Sequence, residues 1–139
     1  MSKGDGSARR RVLIVDGCSY NRRLVSGWLS SAGDIVADEA ADTWSALRMI
    51  VQREPDLIIL DMNLPVLDGY LTTRMVRAWG GRFADLPILA LTAAVEPDAR
   101  AQCLRVGASD HLAKPLIDPI ALRAKVAAAL SYASAPSTP

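Results

Sequence analysis

Three short stretches of this chain are apolar without interruption: Val12-Leu13-Ile14-Val15, Leu57-Ile58-Ile59-Leu60 and Ile88-Leu89-Ala90-Leu91. A strand with one face in water alternates apolar and polar residues. An unbroken run of four requires a strand covered on both faces. Asp34 to Ala40 and His111-Leu112-Ala113 read as weaker strands. Helical composition fills the spaces between. Asn21 to Ser31 places Leu24, Trp28 and Leu29 on one face, with Gly33 after it. Thr43 to Arg53 repeats the pattern through Trp44, Leu47, Met49 and Ile50, and Pro55 stops it. Asp68 to Trp79 is closed by Gly80-Gly81. Pro97 to Val106 has proline in its first turn, and Asp118 to Leu130 turns Ile120, Val126 and Leu130 inward. Five strand–helix units in succession predict a parallel sheet with right-handed crossovers, a doubly wound α/β fold.

The 139 residues suit one domain with a sizeable core. The net charge of +1 conceals a split. Residues 1–11 carry Lys3, Arg9, Arg10 and Arg11 against Asp5. The remainder holds twelve basic and fourteen acidic side chains. A mildly acidic body offers nucleic acid no basic surface. No apolar run approaches a membrane span, and the first residues lack a signal-peptide core, so the expected setting is cytoplasmic. Cys18 and Cys103 have neither disulfide-framework nor zinc spacing. Cys18 reads as a loop filler, and Cys103 as a core residue on a helix face with Ala99 and Val106. Residues 1–10 and 132–139 read as disordered tails around a body at 11–131.

In a doubly wound sheet, functional groups gather beyond the carboxyl ends of the strands. The residues there are Asp16, Asp61, Thr92 and Lys114. Singly, each has an ordinary reading as a cap, a turn residue or a surface charge. Together they make a chemical set. Two carboxylates brought close need a cation between them, and a hard oxygen site with few protein ligands suits Mg²⁺. An aspartate nucleophile, a hydroxyl donor and an ammonium meet the needs of phosphoryl transfer to a carboxylate.

The segments VLIVDG, DLIILDMNLPVLDG, PILALTA and GASDHLAKPL resemble the receiver domain of two-component response regulators, over about residues 11–131. The stretches around Asn21-Arg22-Arg23, Cys103-Leu104 and Asp110-His111-Leu112 are similar to receivers of hybrid histidine kinases. The resemblance implies a flavodoxin-like (βα)5 sheet with strand order 2-1-3-4-5. It makes Asp61 the phosphoacceptor. Mg²⁺ would sit on Asp16, Asp61 and the backbone carbonyl of Asn63. Thr92 becomes the switch hydroxyl and Lys114 the phosphoryl-binding lysine. His111 takes the place of the rotating aromatic. Pro65, Gly69 and Pro115 shape the loops, with the Lys114–Pro115 bond usually cis in the family. The implied function is a phosphorelay switch that is not itself an enzyme, apart from its own phosphorylation and dephosphorylation. The implied partner is a histidine kinase or histidine phosphotransfer protein. Docking is expected on the first helix through Arg22, Arg23 and Trp28. The readout, and any homodimer, would use the face of the fourth helix, fifth strand and fifth helix.

Two residues depart from the family pattern. Gly17 follows Asp16 where a second acid is usual, which removes one charge and one direct metal ligand. A weakened but working Mg²⁺ site is one outcome. The other is a pseudo-receiver, an interaction module independent of phosphorylation. His111, the single histidine, is smaller and more polar than the aromatic it replaces, and its charge changes near neutral pH. Rival readings fit less well. A dehalogenase-type phosphatase needs an acid two residues past the nucleophile, and Asn63 stands there. A flavodoxin needs a Ser/Thr/Gly-rich phosphate loop, and Gly17-Cys18-Ser19-Tyr20-Asn21 is a poor cradle.

Overall fold

The computed structural model describes residues 9–31, 33–93, 97–114 and 118–134, with side chains of the last helix described to Ser131. The chain alternates β1 (Arg10–Val15), α1 (Ser19–Ser30), β2 (Ile35–Ala40), α2 (Thr43–Arg53), β3 (Leu57–Asp61), α3 (Gly69–Ala78), β4 (Ile88–Thr92), α4 (Ala99–Arg105), β5 (Asp110–Ala113) and α5 (Pro119–Ser134). A 3-10 helix over Gly81–Ala84 separates α3 from β4. The five strands form one parallel sheet in the order β2-β1-β3-β4-β5, as the resemblance implies.

The unbroken apolar runs divide residue by residue between two cores. Leu13, Val15, Ile58, Leu60, Ile88 and Ala90 pack toward α2, α3 and α4, against Ala46, Ile50, Val76 and Cys103. Val12, Ile14, Leu57, Ile59, Leu89 and Leu91 face α1 and α5, against Val25, Leu29, Leu122, Val126 and Leu130. This division is the physical reason the runs do not alternate: side chains pointing both ways are buried.

Helix ends follow local chemistry. Asp42 and Asp68 cap α2 and α3 by accepting from the backbone N–H of Ser45 and Leu71, at 2.8 and 2.9 Å. Arg77, on α3, is a structural pin that the sequence did not announce. Its guanidinium donates to the carbonyls of Gly107, Phe83 and Leu86 at 2.7–2.9 Å, tying α3 to the start of β4 and the turn after α4. Burial lowers its pKa, with Asp85 opposing the shift. Gly107 adopts φ +113°, and a Cβ there would lie 2.9 Å from Arg77 Cγ.

Several expectations need correction. Ile120 is 75% exposed rather than inward, and Leu122 takes the core position in the first turn of α5. The core stripe of α5 runs through Leu122, Val126 and Leu130, which turns Ile120 to the opposite side. Trp44, in the first turn of α2, is a surface residue, 58% exposed. Strand β1 starts at Arg10, whose N–H bonds Asp34 O at 3.0 Å. Helix α5 continues to Ser134, because Ser131-Tyr132-Ala133-Ser134 contains no breaker before Pro136. Helix α4 is shorter than expected, starting at Ala99 after a turn at Pro97-Asp98. The tail expectations for residues 1–8 and 135–139 lie outside the described residues, as does the whole of Pro115.

Candidate functional site

The parallel sheet brings the carboxyl ends of β1, β3, β4 and β5 to one edge. Asp61 is the last residue of β3 and Thr92 the last of β4. Asp16 and Lys114 are the first residues past β1 and β5. Asp16, Asp61 and Thr92 are all buried. Lys114 Nζ reaches into the edge, 3.1 Å from Asp61 Oδ2 and 3.4 Å from Asp16 Oδ2. One ammonium thus bridges two buried carboxylates that would otherwise repel.

Each carboxylate is held on a second side. Asp61 Oδ1 accepts from Asn63 N–H at 2.9 Å, and Asp16 Oδ1 from Cys18 N–H at 2.8 Å. Asp16 is also fixed through its backbone. Its N–H donates to Ala40 O at 3.1 Å, and its carbonyl accepts from Arg22 Nη1 at 2.7 Å. Arg22 pairs with Glu39 as well, at 3.2 Å. Through these contacts Arg22 supports the backbone of Asp16 from α1. Trp28 lies away from the site. It lines a cavity of about 580 Å³ at the opposite sheet edge with Arg10, Ile35, Arg123 and Leu130. Arg23 is exposed on α1.

Thr92 Oγ1 is buried and has no hydrogen-bond partner among the described residues. A lone buried hydroxyl costs on the order of 1–3 kcal/mol. His111 Nδ1 is the other such atom. His111 pairs with Ala90 and Ala113 with Thr92, which puts the imidazole and the hydroxyl on the same sheet face, one strand apart. Burial lowers the His111 pKa, Lys125 and Arg100 lower it further, and Asp110 opposes them. The backbone joins the two strand ends too, through Lys114 N–H to Thr92 O at 2.7 Å.

The loop residues act by close approach. Gly69 N–H donates to Met62 O at 3.0 Å, and a Cβ at Gly69 would stand 2.6 Å from Asp61 O and Met62 Cα. Only glycine lets α3 start against the backbone of the phosphoacceptor candidate. Pro65 closes onto Gly17, where a Cβ would meet Pro65 Cδ at 3.2 Å. The sequence signal for these contacts was the presence of Gly and Pro, but their pairing across two loops was hidden.

The donor set suits Mg²⁺: two carboxylates and the Asn63 carbonyl are hard oxygens, and this ion keeps several waters. Among the described residues no group of three or more His, Cys, Asp or Glu side chains comes together as ligands.

A five-stranded doubly wound sheet with an Asp–Asp–Lys–Thr edge defines the class of phosphoacceptor signalling folds. A profile described as the response regulator receiver domain matches residues 12–127, and the chain belongs to that family. Chemotaxis response regulator CheY4 of Vibrio cholerae superposes with a TM-score of 0.80 at 32% identity, over 88% of this chain and 99% of that one. The transcriptional regulatory protein PrrA of Mycobacterium tuberculosis is 38% identical over 112 residues, 81% of this chain and 46% of its own length. A protein-glutamate methylesterase/protein-glutamine glutaminase of Myxococcus xanthus is 34% identical over 105 residues, 75% of this chain and 29% of its own. The chain thus spans less than half the length of these curated relatives. Receiver domains are signalling domains of two-component systems. In general they bind Mg²⁺ at the phosphorylation site and engage histidine kinases or phosphotransfer proteins.

Proposed function

We propose that Asp61 accepts a phosphoryl group from a phosphohistidine on a kinase or phosphotransfer protein. The carrying observation is the placement of its carboxylate, which is buried, oriented by Asn63 N–H, paired with Lys114 and neighboured by the unpartnered Thr92 hydroxyl. An Asp61 oxygen attacks phosphorus, the N–P bond to the donor imidazole breaks, and that imidazole leaves with the electron pair and takes up a proton. Lys114 neutralises charge on the phosphoryl oxygens. Mg²⁺ on Asp16, Asp61 and the Asn63 carbonyl would supply further neutralisation of the same charge.

The aspartyl phosphate adds a charge of roughly −1.5 to −2 and new acceptors. Thr92 gains the acceptor it lacks, Lys114 shifts its pairing to the phosphoryl group, and the ends of β4 and β5 move together through the Lys114–Thr92 backbone bond. This biases two arrangements of the α4–β5–α5 face. Asp110 spans that face, 3.0 Å from Lys125 on α5 and 3.9 Å from Arg100 on α4. The same face is the proposed homodimer surface. The setting proposed is cytoplasmic and the partners are proteins. Among the described residues no helix is long and apolar enough to cross a membrane.

Acetyl phosphate with Mg²⁺ tests the proposal. One phosphoryl group is expected on the peptide containing Asp61, removable by hydroxylamine as an acyl phosphate would be. Gly17 favours a second reading, a pseudo-receiver that binds partners without phosphorylation. That reading predicts no label under the same conditions.

A further inference from the structure

The loop between β3 and α3 holds Val66 at φ +69°. The left-handed region is unfavourable for L-residues and least tolerated by β-branched side chains. Burial does not offset that cost, since Val66 is 92% exposed. Trp44 stands nearby at the start of α2, also turned to solvent. The two line a notch of about 380 Å³ with Gly17, Asp42, Pro65 and Leu67. The notch shares a wall with the mouth of the site, because Gly17 directly follows Asp16 and Pro65 rests on Gly17.

A strained apolar residue beside an exposed tryptophan is the kind of surface that a partner covers. The position of the notch indicates what that partner is. A small phosphodonor needs only the mouth between Asp16, Asp61, Thr92 and Lys114. A protein donor must lay its own surface across the rim to bring a phosphohistidine to Asp61. Asp42 lines the notch and gives that rim an acidic border, which complements an apolar surface edged by a cation.

We infer that Trp44 and Val66 determine specificity for the phosphohistidine-bearing protein that serves Asp61, seating an apolar, cation-edged surface of that donor in the notch beside Gly17 and Pro65. The inference rests on the proposed phosphoacceptor role of Asp61. Trp44 is the anchor, as buried tryptophans are at interfaces generally. Val66 is the shaped contact whose strained backbone presents it.

Two variants and two donors test this. Val66→Asn places a residue that tolerates the left-handed region, so the midpoint of thermal unfolding should stay or rise by a few degrees. Trp44→Ala removes the anchor. Phosphorylation is followed with acetyl phosphate and with a panel of phosphorylated histidine phosphotransfer domains. With acetyl phosphate both variants should match the unaltered chain within about twofold. With a protein donor, kcat/KM should fall roughly tenfold or more for Trp44→Ala and several-fold for Val66→Asn. Unchanged transfer from protein donors overturns the inference, as does an equal loss with acetyl phosphate. It also fails if the unaltered chain accepts acetyl phosphate but no domain of the panel phosphorylates it. If acetyl phosphate labels nothing, the phosphoacceptor reading itself fails.

Discussion

Lys114 Nζ lies between two buried carboxylates, 3.1 Å from Asp61 and 3.4 Å from Asp16. Replacing it by methionine leaves the pair facing each other without a cation. Lys114→Met should lower stability by about 1–3 kcal/mol at neutral pH. Mg²⁺ should recover more stability in this variant than in the unaltered chain, since it would then be the sole cation at the pair. Thermal unfolding with and without Mg²⁺ reads both effects, and equal Mg²⁺ shifts in the two proteins would contradict them.

Gly17→Asp restores an acid beside Asp16. Its Cβ meets Pro65 Cδ at 3.2 Å, so the Pro65 loop must yield by a few tenths of an ångström. If position 17 is where a ligand is missing, Mg²⁺ affinity should rise roughly tenfold, about 1.4 kcal/mol. Calorimetric titration of both proteins measures it. An unchanged affinity would show that Asp16 already carries what metal binding there is.

His111 sets a pH dependence with a definite sign. Burial, Lys125 and Arg100 hold its folded pKa below the ordinary value of about 6.5. The neutral imidazole is therefore the form the fold favours. Its contribution to stability is fully present above about pH 6.5 and is lost as pH falls through the lowered folded value. Since it is the single histidine, one imidazole resonance reports its titration by NMR. A midpoint at or above that of an unfolded peptide would contradict this reading. His111→Phe should remove the corresponding stability change.

Arg77→Met removes one guanidinium and strands three carbonyls on two segments. A loss of about 2–4 kcal/mol is expected in urea unfolding. The site edge lies at the other ends of the strands, so labelling of Asp61 should persist in the folded variant.

The sequence was most legible where local chemistry decides the outcome. Helix α2 matches its expected span because Asp42 caps it and Pro55 follows its end. The strands were legible because unbroken apolar runs have few other uses. Asp16, Asp61, Thr92 and Lys114 followed once the strand ends were known. What escaped depends on contacts between distant segments. Arg77 looked like any helix arginine, since its acceptors lie 6 to 30 residues away. Ile120 kept helical spacing, but the buried stripe of α5 falls on Leu122, Val126 and Leu130. Trp28, named only for docking, also lines a cavity between α1, α5 and the start of β2, a contact that helical spacing does not show. The 3-10 helix at Gly81–Ala84 was masked by two glycines that read as a stop.

The central claim is that Asp61 takes the phosphoryl group despite the glycine at position 17. Intact mass of the unaltered chain and of Asp61→Asn, each incubated with acetyl phosphate and Mg²⁺, tests it most directly. The account predicts a gain of one phosphoryl group on the unaltered chain and none on Asp61→Asn. No gain on the unaltered chain, or a gain that survives Asp61→Asn, would contradict it.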